Sequence, residues 1–296
     1  MQAKVGGHKS VARGLAATGP YLLLLPSALF LLVFFAWPMI QALLVAFQTK
    51  EGQFTLEYFR RMTGDLAFRD AVRNTLLLLV AIVPVQIVLA LIMALLTLAR
   101  LRGSTLFLYV WAIPLGISDL AAGIVWLAIF TERGYLNSWL SGLGFLAEPF
   151  SFLSYENPLS LFLAVVVAEV WRATAIVMVI LVAGLQMIPR DYLEAAEVFG
   201  ASLWQRVRHV ILPLLRPSLQ VALILRTIFA FQVFAVIVAL AGKTMPVLAG
   251  EAYFWYGAYQ NTNVAAAYAL LILILSILNV ILYLRVVRVQ QEEVTL

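Results

Sequence analysis

Residues Asp191–Pro213 read DYLEAAEVFGASLWQRVRHVILP, a polar, helix-forming insert between two long apolar segments. Asp191 followed by Glu194 has the spacing of a capping box, and Pro189 marks the end of the helix before it. A first short helix is expected from Tyr192 to Phe199, with Tyr192, Ala195, Ala196 and Phe199 on one face at i, i+3, i+4 and i+7. Two alanines leave that face nearly flat, so another backbone can approach closely. Gly200 suits the left-handed residue that ends a helix. Ser202 with Gln205 forms a second capping box, opening a helix that carries Trp204, Arg206 and Arg208. Pro213 and Pro217 frame the start of the next apolar segment. On these residues alone the insert is either a docking element for a soluble partner or an amphipathic helix pair lying on a membrane.

Everything around the insert reads as membrane. The chain has 296 residues, 64% hydrophobic and 12% charged, with a mean hydropathy of +0.98. That excludes an ordinary soluble domain. It contains no cysteine, which excludes disulfides, thiol catalysis and Cys-ligated metal. A pI of 9.6 would suggest nucleic acid in a soluble protein. Here it fits the Lys/Arg bias of cytoplasmic loops, and no basic run with interleaved aromatics supports nucleic-acid binding.

A helical span needs about 20 mostly apolar residues. Six segments qualify, at roughly 20–47, 74–99, 105–130, 159–187, 217–240 and 264–287. The first is too long for a signal-peptide core and is expected to be retained. The fold class is therefore all-α and polytopic: six transmembrane helices in one domain over 1–296, with the insert at 188–216 between helices 4 and 5 and a tail at 1–18. With both termini cytoplasmic, 11 Lys and Arg fall inside: Lys4, Lys9, Arg13, Arg100, Arg102, Arg190, Arg206, Arg208, Arg216, Arg285 and Arg288. Outside fall 7: Lys50, Arg60, Arg61, Arg69, Arg73, Arg133 and Lys243. The bias favours a cytoplasmic insert.

The ordered Glu194-Ala195-Ala196, Gly200 and Leu212-Pro213 of the insert resemble the EAA loop of ABC importer permeases, specifically the binding-protein-dependent carbohydrate permeases of the maltose and glycerol-3-phosphate type. The resemblance extends over most of the chain, through Pro26–Pro38, Asn74-Thr75, Gly134-Tyr135-Leu136-Asn137, Glu169-Val170-Trp171 and Ala183-Gly184-Leu185-Gln186. Departures are Phe199 where Asp commonly precedes the Gly, Val210 in place of Ile, and AGKTMP at Ala241–Pro246 in place of a Gly-Gly-Pro segment. The resemblance implies that the insert sits in a groove of a cytoplasmic ATPase subunit, with Asp191, Glu194, Ala195, Ala196, Gly200 and Pro213 as its coupling residues. It also implies a second homologous permease, two ATPase subunits that hold the ATP and Mg, and an external solute-binding protein. The expected location is a prokaryotic cell (inner) membrane.

Four charged residues, Asp119, Glu169, Arg172 and Arg226, fall within the expected spans. Each lies about 14–21 Å from a helix end, where a charge costs roughly 3 kcal/mol and normally faces protein or water. Glu169 and Arg172 can share a helix face. Two acids and two bases carry no net charge, which suits a neutral polar solute better than an ion. With Gln232 and Trp171 they form the candidate substrate path, while buried pairs that only hold helices together remain the competing reading. Gln86 and Asn279 add uncharged polar groups at depth, and Trp126, Phe231 and Phe234 offer faces for stacking or packing.

No catalytic constellation is present. His8 and His209 have no metal-ligand spacing, and neither a Gly-rich phosphate loop nor a Ser/His/Asp arrangement appears. Catalysis, cofactor and metal are thus not expected on this chain, and ATP is expected on partners. The expected function is the transmembrane subunit of an ATP-driven importer of a sugar or related polyol. The rivals are an ion-coupled secondary transporter, which internal inverted repeats would favour, and a membrane-embedded enzyme, which clustered acids would favour.

Overall fold

The computed structural model describes residues 22–49, 51–98 and 103–287. The expected tail at 1–18, with Lys4, His8, Lys9 and Arg13, lies outside the described residues, as do Lys50, Arg100, Arg102 and Arg288. The described chain is helical. Helix α1 (Leu22–Phe47) is long and apolar enough to cross a membrane and passes through a π turn at Leu32–Ala36. A short α2 (Glu57–Thr63) leads into α3 (Phe68–Leu98), which continues past an internal Pro84. After α4 (Ser104–Gly116) and α5 (Asp119–Phe130) come α6 (Tyr135–Gly142) and the long α7 (Pro158–Gln186). The insert is α8 (Arg190–Val198), followed by α9 (Leu203–Phe231). Three helices close the chain: α10 (Ala235–Ala241), α11 (Leu248–Gly257) and α12 (Thr262–Val286).

Among the described residues, five helices are long and apolar enough to span: α1, α3, α7, α9 and α12. The third expected span, 105–130, is not one helix. Its halves α4 and α5 meet at a bend of 104°. Pro114 sits in a terminal 3₁₀ turn at Ile113–Gly116, and Ile117 is extended. Ser118 then caps a new helix, its hydroxyl accepting from Ala121 N at 3.2 Å. Counted as one broken span, this pair makes the sixth.

The fifth expected span also moves. It begins at Leu203 and stops at Phe231, and residues 235–241 form the separate α10 packed on α5. The apolar run alone could not reveal this. Pro217 lies within the helix rather than at its start, and the second insert helix flows into the span through a π turn at Val207–Ile211.

Three apolar cores hold the bundle. One gathers α3, α5, α7 and α10 around Ile82, Val165 and Ile237. A second joins α3, α7 and α9 around Ala90, Met178 and Leu215 at the insert end. The third packs the end of α1 with α2, α11 and α12 around Tyr268 and Leu248. Small residues let helices approach closely, as expected where packing rather than water drives association. A Cβ on Gly184 would lie 2.2 Å from Ser218 Oγ and 2.9 Å from Leu215 Cδ1. The C-terminal part of α1 meets α12, whereas the rest of α1 is exposed and mostly apolar among the described residues, a surface suited to lipid or another subunit.

Candidate functional site

Two places in the fold carry polar chemistry. The first lies between the two long cores, where α3, α7 and α9 meet. Glu169 is about 17 Å along α7 from its start at Pro158. Its carboxylate accepts from Arg226 Nη2 at 3.1 Å and from Arg172 Nη2 at 3.2 Å. Arg172 reaches on to Asp119, donating from Nη1 at 2.7 Å. Gln86 completes the network from α3. Its amide donates to the Glu169 carbonyl at 2.8 Å, and its Oε1 accepts from Arg226 Nε.

All four charges expected at membrane depth thus join one neutral cluster. Burial is graded along it. Gln86, Glu169 and Arg226 are at most 1% exposed. The Arg172 side chain is 17% exposed and that of Asp119 56%. Charges this deep persist because each is paired and hydrogen-bonded. Arg226 Nη1 is buried without an acceptor. The cluster therefore has a closed end that ties helices together and an open end at Asp119.

The position of Asp119 differs from expectation. It was expected inside a continuous span and instead opens α5, in the first turn after the 104° break. A carboxylate there meets the positive end of a helix dipole. Irregular backbone at this depth is tolerated where it faces protein or a water-filled cavity. Spacing legitimately paired Glu169 with Arg172, but no spacing connects Asp119 or Arg226 to them, 53 and 57 residues away in the chain.

Two expected path residues behave differently. Trp171 is half-buried and sets its ring edge-on to Trp126, with centroids 5.9 Å apart. It packs with the core. Gln232 is exposed and caps the end of α9, where the helix breaks before Phe234. No group of His, Cys, Asp or Glu suited to a metal occurs among the described residues.

The second place is the insert. Helix α8 starts at Arg190, and Pro189 occupies the cap position without a side-chain hydrogen bond. The expected Asp191–Glu194 capping box is therefore not formed. Pro189 already directs the chain into the helix, and Asp191 lies in the first turn, where it complements the dipole. The C-terminal end matches expectation closely. Gly200 has φ +75°, Ala201 N donates to Ala196 O at 2.9 Å, and Gly200 N donates to Glu197 O at 2.9 Å. This is a Schellman motif. The Ser202–Gln205 capping box is present in both directions.

Within the insert, Leu193 and Ile188 pack inward on the core at Val207 and Ile211. Tyr192, Glu194, Ala195 and Phe199 are left exposed, with Ala196 half-buried beside them. An ion pair from Arg206 to Glu197 ties the two insert helices together. Pro213 lies early in the straight part of α9, after the π turn.

Comparison with known proteins places these features. Residues 67–291 match the family described as binding-protein-dependent transport system inner membrane component. The chain is 35% identical over 217 residues to the trehalose/maltose transport system permease protein MalF of Thermococcus litoralis, covering 71% of each. It is 29% identical over 287 residues to the trehalose transport system permease protein SugA of Mycobacterium tuberculosis, covering 94% of this chain and 89% of that one. Among solved structures, a chain of a bacterial ABC transporter involved in the import of the acidic polysaccharide alginate superposes with a TM-score of 0.78. The identity is 21%, and the match covers 94% of this chain and 98% of that one. A structure of the bacterial alginate ABC transporter in complex with alginate pentasaccharide-bound periplasmic protein gives a TM-score of 0.77 at 23% identity, over 93% and 96%. At such identities the likeness is one of fold. Taken with the matched residues, it identifies the chain as a multi-pass transport permease that belongs to the binding-protein-dependent transport system inner membrane component family.

Proposed function

We propose that the protein is the transmembrane subunit of an ATP-driven importer for a carbohydrate, delivered by an external binding protein. The observation that carries the sugar class is the similarity, over most of the chain, to permeases named for trehalose, maltose and lactose. The neutral cluster at the α5–α7–α9 junction supports the same reading. Its open end offers a carboxylate and a guanidinium, groups that hydrogen-bond hydroxyls, and it carries no net charge to favour an ion.

In this reading Asp119 and Arg172 face the translocation path, and Glu169, Arg226 and Gln86 fix their positions. A second permease supplies the rest of the cavity. The insert lies on the cytoplasmic side with both termini, and docks through Glu194, Ala195, Ala196 and Gly200 into one of two ATPase subunits that hold ATP and Mg. Closure of the ATPases moves the insert. Because α9 runs unbroken from Leu203 to Phe231, that motion reaches Arg226 about 35 Å away as a rigid-body shift.

The test is uptake by the reconstituted four-component importer. Glu194→Ala and Gly200→Val should leave the protein in the membrane while weakening ATPase docking or uncoupling hydrolysis from uptake. The Val change puts a β-branched residue at a left-handed φ. Wild-type docking and uptake in both variants would refute the coupling role.

A further inference from the structure

The end of the bundle opposite the insert carries an aromatic face that the polar cluster does not use. Helix α11 is held there on several sides. Asn74 Nδ2 donates to Pro246 O at 2.9 Å and Leu248 N donates to Thr75 Oγ1 at 3.0 Å, so α3 pins its start. Trp255 Nε1 donates to Asp65 Oδ2 at 2.8 Å, and Tyr268 of α12 donates to the same oxygen at 3.3 Å. Leu248, Glu251 and Trp255 turn inward at i, i+3 and i+7. The free side leaves Tyr253 56% exposed. Its ring centroid lies 4.7 Å from that of Phe234.

Position decides what meets this face. Phe234 follows the break at the end of α9, beside the exposed Gln232. Irregular backbone of this kind belongs against protein or a water-filled cavity. Two residues further on, Val236 abuts α5, where a Cβ on Gly123 would lie 3.1 Å from Val236 Cα. Gly123 is one turn from Asp119 and on the same helix face. A continuous line of residues therefore runs from the open end of the polar cluster, through Val236 and Phe234, to Tyr253. Its outer end is polar. Lys243 is exposed, with its ammonium 4.5 Å from the Phe254 ring centroid and 5.1 Å from that of Tyr259. An aromatic ring edged by an amide and an ammonium suits a pyranose better than a lipid chain. The sugar has an apolar C–H face, which the negative face of an aromatic ring attracts, and a rim of hydroxyls for the polar groups.

We propose that Tyr253 is a stacking subsite for one pyranose ring of a neutral sugar, at the outer mouth of the path that leads to Asp119 and Arg172. The inference rests on the sugar reading of that path and deepens it. Phe234 braces the Tyr253 ring, and Gln232 meets the hydroxyls on the way inward. The bonds to Asn74, Thr75 and Asp65 fix α11 before a sugar arrives, so little order is lost on binding.

The test is uptake of labelled trehalose, maltose and lactose by the complete importer carrying Tyr253 variants. Tyr253→Phe keeps the ring and should keep uptake. Tyr253→Ala and Tyr253→Leu should each slow uptake about five-fold, with folded yield unchanged because the side chain is more than half exposed. Leu is the deciding variant, since it satisfies lipid or packing but offers no ring. Uptake by Tyr253→Leu equal to that of Tyr253→Phe would overturn the proposal and leave the sugar reading intact. A wild-type importer that carries no sugar would sink both. The chain has no cysteine, so Tyr253→Cys supplies a second readout. It should react with a membrane-impermeant maleimide added outside, and an excess of the transported sugar should slow that reaction. A thiol reached only by a lipid-soluble maleimide would place the face in the bilayer and overturn the subsite.

Discussion

Glu169 touches both guanidinium groups of the buried cluster, so its removal is not a neutral deletion. Arg226, 1% exposed, would keep its charge with only Gln86 for company. Breaking a buried pair in this way costs about 3–5 kcal/mol, whereas replacing both partners with apolar residues is often nearly neutral. Glu169→Leu should therefore lower folded yield and melting temperature in detergent. Adding Arg226→Met should restore most of both, since Arg172 retains Asp119. Uptake should stay lost in the double variant if the cluster positions Arg172 for substrate. Normal uptake there would make the pair purely structural. At the other end of the molecule, Glu251 lies on α11, outside the spans. Burial raises its carboxyl pKa above 4.5, with the Asp65 charge adding to the rise and Lys243 opposing it. The folded protein thus holds a proton that the unfolded chain releases. Stability from this group is present below 4.5 and declines as pH rises through the folded value. Glu251→Gln should flatten that decline in melts taken across the mildly acidic range.

Helix crossings set the next scale. Helices α7 and α9 touch where Gly184 faces Ser218, and a Cβ on Gly184 would meet the Ser218 Cβ at 2.6 Å. Neither atom can rotate away, so Gly184→Ala should push the helices apart and cost about 1–3 kcal/mol. Ser218→Gly should recover much of it, leaving only the movable Leu215 methyl in the way. A melting temperature unaffected by Gly184→Ala would show that the crossing is looser than this. The sequence spoke clearly about elements whose signal is local. The Gly200 turn, the Ser202 box and the long apolar helices α3, α7 and α12 are set by neighbouring residues, and these were legible. The break between Gly116 and Asp119 was not, because both halves are apolar and only Pro114 and Ser118 hint at it. The end of α9 at Phe231 was equally hidden. Apart from Gln232 the run through Val238 stays apolar, and α10 after the break packs on α5 in the core. Asp119 and Arg226 joined the cluster only through those crossings.

At the scale of the whole molecule, the chain reads as half of a machine. Its first span α1 has no buried residue in its apolar window, Asp119 opens onto a face that the described residues leave exposed, and the insert tip exposes Phe199 and Trp204. In the proposed importer each of these surfaces has a different neighbour: lipid or a second permease for α1, the second permease for the path, and an ATPase for the insert. A self-sufficient secondary transporter would instead enclose its site between its own repeats. The structure encloses only the Glu169–Arg226 end of the polar cluster. Reconstituted alone, the subunit should therefore carry no sugar flux under a proton gradient, a sodium gradient or ATP, and should hydrolyse nothing. Adding the second permease, the ATPases and the binding protein should produce inward flux that depends on ATP. The assay is labelled trehalose or maltose trapped in proteoliposomes with each component omitted in turn. Gradient-driven accumulation by the isolated chain would overturn the importer reading, because a half-open path with no partner would then have to alternate by itself.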